Sequence, residues 1–188
     1  LCRDTANSGL LLKVYIWSIA IGLIGLGAAL GAAAHGLIIP RRVHNRLWQV
    51  LNACLALAVA LIAAGVVYDV WGSTACLKVL PFLLMAGFGF YAATLMYPGF
   101  FFIFIVYEGL ALVFAFCAYI YLTLAGELPG AALMAAGILV SIIAAVIQAG
   151  KSATLTLICK FDHNGIFHLV QVVGIVLLLV GLRRSLQG

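Results

Sequence analysis

Long apolar runs, separated by short polar stretches, dominate the chain. Six stand out, over about residues 10–39, 47–70, 75–97, 100–125, 130–149 and 164–182. As an α-helix rising 1.5 Å per residue, each can cross the ~30 Å hydrocarbon layer of a bilayer. The breaks carry helix stoppers or headgroup-seeking bases: Pro40-Arg41-Arg42, Pro98-Gly99, Glu127-Leu128-Pro129 and, after the last run, Arg183-Arg184. The expected fold is all-α, a polytopic transmembrane helical bundle in which residues 1–188 form one domain. Six helices are visible; the chain starts at Leu1 rather than Met, and a helix upstream of it would raise the count to seven. Residues 151–162 do not fit the pattern. Their apolar part, 155–159, is too short to span and reads as an interfacial loop or short helix, with Asp162 placed to cap the last helix.

Composition removes most other classes. Hydrophobic residues make up 66% of the chain and charged residues only 8%, with mean hydropathy +1.27. A soluble domain carries roughly 25% charged residues, so this is a multi-pass integral membrane protein. The net charge of +5 comes from ten bases spread over many short loops. They suit lipid headgroups and topology rather than a nucleic-acid surface. Five dispersed cysteines without a CxxC spacing argue against a disulfide framework or a cysteine zinc site. No GxSxG, P-loop or HExxH motif occurs, and Gly87-Phe88-Gly89 lies inside a helical run. The aromatic series Phe100, Phe101, Phe102, Phe104 and Tyr107 suits lipid.

Strict alternation of six spans sorts the polar residues by depth. With the chain starting on side A, the first helix ends on side B one turn after His35. Asn52 opens the second helix there, Gln148 closes the fifth, and His163 and His168 open the last. Glu108 sits deeper, in the fourth. Asp69, Lys78 and Glu127 fall on side A, near loops. Lysine and arginine tie at five per side, and the cluster Arg41, Arg42 and Arg46 favours side B as cytoplasmic.

The first helix carries Gly27, Gly31 and His35 at i, i+4 and i+8, a small-residue face suited to close packing, expected against the last helix. Polar groups are costly in hydrocarbon and need partners. Three imidazoles at similar depth, His35, His163 and His168, therefore read as a zinc site with an open water position. Glu108 or Asp162 would serve as general base, with Asn52, Gln148, Asn164 and Gln171 as polar neighbours. His163 is the weakest ligand, because positions five apart on a regular helix lie about 140° apart around the axis. Each residue also has a plainer role. His168 can bond a helix carbonyl, His163 can sit among headgroups, and the amides can join helices.

The Ala34-His35-Gly36 motif, together with Asp162-His163-Asn164-Gly165-Ile166-Phe167-His168, resembles the CREST superfamily of membrane proteins, which includes the alkaline ceramidases and the progestin and adipoQ receptors. The resemblance implies a seven-helix bundle with zinc held by an early histidine and two at the start of the last helix. It also implies hydrolysis of lipid amides. The layout is most similar to uncharacterised bacterial members, which implies a bacterial inner (plasma) membrane. Four features depart from the family. Six helices are visible rather than seven, and Asn52 stands on the second helix where an acidic partner is usual, while Asp69 lies at its far end. The last-helix spacing is HxxxxH rather than HxxxH, and Gly31 stands where a serine is usual. The leading expectation is a zinc-dependent hydrolase acting on a lipid amide or ester, with membrane lipids as its partners. The alternatives are a small transporter or channel, and a structural subunit whose histidines serve helix packing.

Overall fold

The computed structural model describes residues 2–97, 101–150, 155–156, 160–161 and 163–187. Nearly all lie in five helices: α1 (Cys2–Gly36), α2 (Arg41–Met96), α3 (Phe101–Ala125), α4 (Ala131–Gly150) and α5 (His163–Gln187). Each contains a stretch long and apolar enough to cross a membrane. The chain is an all-helical, multi-pass integral membrane protein, as the hydrophobic pattern requires. The expected count of six helices is corrected to five, because the second and third runs form a single element.

That element, α2, has 56 residues. As one straight rod it would be ~84 Å long, far more than a bilayer accommodates. It breaks at Gly72, where φ is 82° and ψ is −179°, a backbone region that is essentially reserved for glycine. A Cβ placed on Gly87 would lie 3.0 Å from the Ala56 carbonyl oxygen. These two positions are nearly equidistant from Gly72 along the chain, so α2 folds back on itself as a hairpin with limbs 41–71 and 73–96. The loop expected between residues 70 and 75 has shrunk to one glycine.

Two compact units divide the chain, Leu1–Ala111 and Leu112–Gly188, and the boundary falls inside α3. In the first unit α1 runs antiparallel to the first limb of α2. Lys13 meets Asp69, Trp17 meets Gly65, Gly27 meets Leu55, Gly31 meets Leu51 and His35 meets Trp48. The residues on α1 follow the 3–4 spacing of one helix face. The Gly27-Gly31-His35 face therefore packs on α2, which corrects the expected partner, the last helix.

In the second unit α4 and α5 pack antiparallel at very short range. A Cβ on Gly137 would stand 2.6 Å from the Gly174 carbonyl oxygen, and one on Gly130 would strike that of Gly181. Such backbone approach is how membrane helices gain van der Waals contact where water drives nothing together. Within residues 151–162, β1 (Leu155–Thr156) pairs antiparallel with β2 (Lys160–Phe161), Leu155 opposite Phe161. A small strand pair thus occupies part of the stretch read as a loop or short helix. Asp162 lies outside the described residues.

Candidate functional site

The α1–α2 turn gathers two of the four histidines. His35 ends the apolar run of α1, and its exposed ring stands edge-on to Trp48 on α2, with centroids 5.5 Å apart at 89°. Trp48 donates its Nε1–H to His44 Nε2 at 3.2 Å. A neutral His44 then carries its proton on Nδ1. His44 and Trp48 are i, i+4 and share a face, a spacing that could have marked them in the sequence. No described side chain bonds the His35 ring nitrogens, so they are chemically suited to a metal. A metal needs more than one donor, however, and among the described residues no three His, Cys, Asp or Glu side chains gather around a common point.

The other expected site residues are distributed as follows. His168 is exposed on α5, its ring 4.8 Å from that of Phe167. His163 and Asn164 form the start of α5, and their side chains lie outside the described residues. Gln171 donates to Ser141 Oγ at 3.2 Å, and Ser141 in turn donates to the Gly137 carbonyl. Gln171 is therefore an α4–α5 packing residue. Asn52 and Gln148 are half-buried on α2 and α4 and bond no described residue. Glu108 is half-buried on α3. Helical spacing puts it on one face with the buried Ala115, Tyr119 and Leu122, and among the described residues it has no hydrogen-bond or ion-pair partner.

A buried ion pair was missed by the sequence reading. Lys13 Nζ lies 2.6 Å from Asp69 Oδ1, with 4% and 1% of the two side chains exposed. The ammonium is also 6.0 Å from the centre of the Tyr68 ring. One turn along α1, Trp17 is fully buried against Gly65, and its Nε1–H has no acceptor among the described residues. The pair sits three residues before the Gly72 turn and ties α1 to the first limb just where α2 reverses. The clue was available: Lys13 and Asp69 both fall inside apolar runs, where a charge needs a partner.

The second limb of α2 and the start of α3 line an open apolar groove of about 600 Å³. Gly89, Phe90, Ala93, Ile103, Val106, Tyr107 and Leu110 line it. Tyr107 stacks on Phe90, ring centroids 4.6 Å apart and 9° from parallel. Its hydroxyl donates to the Ala56 carbonyl at 2.9 Å, so the one polar side-chain group of the groove is already satisfied. Gly89, Val106 and Leu110 are exposed, leaving the groove open at the protein surface.

No curated protein and no solved structure matches this chain. One family model does, over residues 7–187, and its description is a family of unknown function, DUF6962. That match covers nearly the whole chain, and the protein belongs to this family.

Proposed function

We propose that the protein acts on a membrane lipid from within the bilayer, as a hydrolase of a lipid amide or ester in the bacterial inner membrane. The groove between α2 and α3 carries the reading. Its volume of about 600 Å³ lies within the ~300–1,000 Å³ of small-molecule sites. Its walls are apolar or aromatic, and it opens on the exposed surface of helices apolar enough to cross a membrane, so the occupant it suits is an acyl chain. The reaction class rests on the resemblance to the CREST superfamily. By sequence, His35, His163 and His168 stand where that superfamily keeps its zinc histidines, and zinc, when bound, supplies a water of lowered pKa as nucleophile. The chain's own residues would hold the acyl tail between Phe90 and Leu110 and keep water from it.

One specific observation favours a second reading, a structural subunit whose histidines serve helix contacts: Trp48 engages the rings of both His35 and His44. Metal content and turnover separate the two. Purified protein should carry about one zinc per chain, as expected for a single site, and release fatty acid from a panel of lipid amides and esters. His35→Ala and His168→Ala should lose both properties. Gly89→Phe, which fills the groove, should raise KM while leaving zinc in place. A folded wild-type protein with neither zinc nor turnover would overturn the hydrolase and leave the structural reading.

A further inference from the structure

The first two turns of α2 hold a concentration of charge that neither the helix packing nor the groove uses. Arg41, Arg42 and Arg46 are all exposed, as are Asn45 and Gln49. Helical spacing puts Arg42, Asn45, Arg46 and Gln49 on one face. Nothing acidic stands near them in sequence, since no Asp or Glu occurs between Asp4 and Asp69. Among the described residues none of the three guanidinium groups has an ion-pair partner. The helix start beside them follows Pro40 and has no side-chain cap, so its amide ends add to the positive potential.

An apolar strip adjoins this polar face. Val43, Leu47 and Val50 follow the helix beside Arg42 and Arg46, and Val43 and Val50 are 44% and 49% exposed. Leu37 and Ile38, in the turn before α2, are also exposed. The turn joins two membrane-spanning elements, so the arginines lie at the headgroup level of one leaflet and the apolar strip leads from them into hydrocarbon. An ion free in water would match only the first half of this arrangement. We propose that the start of α2 binds an anionic phospholipid, its phosphate held by Arg42 and Arg46 and its acyl chain laid along Val43, Leu47 and Val50. Guanidinium groups suit phosphate because their planar fork can donate two hydrogen bonds at once. The site is separate from the groove between α2 and α3 and does not depend on hydrolysis.

The test is a titration of the full chain, in neutral detergent, with phosphatidylglycerol and with phosphatidylcholine. Bound lipid is counted by native mass spectrometry and thermal stability is followed in parallel. Phosphatidylglycerol should bind more tightly and raise the melting temperature more, and its advantage should shrink as salt rises. Arg42→Gln/Arg46→Gln should weaken phosphatidylglycerol roughly thirtyfold, the equivalent of ~1 kcal/mol for each arginine at a membrane surface. Arg183→Gln/Arg184→Gln, at the far end of α5, should leave it unchanged. Inorganic phosphate at millimolar concentration should not reproduce the stabilisation. Equal binding of the two lipids by the wild type would overturn the proposal, as would full affinity in the Arg42/Arg46 variant. Stabilisation by inorganic phosphate equal to that by the lipid would also overturn it, since the acyl strip would then contribute nothing. If the variant does not fold, the salt dependence of the wild type decides: a phosphatidylglycerol preference that persists unchanged at high salt rules the arginines out.

Discussion

Trp17 and Gly65 show how much of this protein is decided by single side chains. The indole is fully buried, and a Cβ on Gly65 would stand 2.7 Å from its Cε2 atom. A rigid ring held between two helices cannot withdraw as a lysine or methionine end would. Gly65→Ala should therefore force α1 and α2 apart and destabilise the protein by about 1–3 kcal/mol, the usual cost of overpacking. Gly25→Ala is the control. A Cβ there meets nothing within 4 Å, and alanine is the better helix former, so stability should hold or rise slightly. Unfolding in a denaturing-detergent titration measures both, and equal effects from the two substitutions would show that Gly65 is not a contact glycine. The residues of this seam were partly legible in the sequence. Gly27, Gly31 and His35 mark the face by their spacing, and the same spacing extended backwards reaches Trp17 and Lys13. The helix lying against that face was not legible, because small residues announce close packing without naming a partner.

At the scale of the element, the seam between α1 and the first limb of α2 ends in the Lys13–Asp69 pair. Placing Asp69 near a loop follows from treating polarity as a boundary signal, and the apolar residues on either side of it contradict that placement. A buried pair adds little net stability over an apolar pair of similar size, but loss of one partner leaves a bare charge and costs about 3–5 kcal/mol. Lys13→Met alone and Asp69→Leu alone should each be strongly destabilising. The double variant should recover most of the loss. A double variant as unstable as the sum of the singles would mean that the two residues contribute independently, contrary to their 2.6 Å contact. The α4–α5 seam is polar for a different reason. Gln171 reads from sequence as a neighbour of a metal site, yet its amide is used on Ser141. Sequence alone cannot separate these roles, because an amide beside a histidine and an amide beside a serine on another helix have the same local pattern.

For the whole molecule, hydrophobic run length identified the class and most element ends, and it missed the connection inside α2. Runs 47–70 and 75–97 suggest a loop of several residues between them, whereas Gly72 alone makes the reversal. Its positive φ leaves the helices on either side almost unbroken, so the two runs merge into one element although each crosses the membrane separately. The candidate site was less legible than the fold. Ligand sets depend on side chains from distant parts of the chain, and depth inferred from alternation says nothing of which faces meet. The hairpin makes a definite topological prediction. Residues 38 and 96 should lie on one side of the membrane, and residue 73 on the other. Single cysteines at Ile38, Met96 and Ser73, in a background with the five native cysteines replaced, can be labelled in intact cells and in lysed cells with a reagent that does not cross the bilayer. Positions 38 and 96 should label together, and 73 should label only under the opposite condition. Labelling of 73 together with 38 would require the first limb to re-emerge on the side it entered, and would refute the two-limb arrangement that Gly72 and the Gly87–Ala56 approach imply.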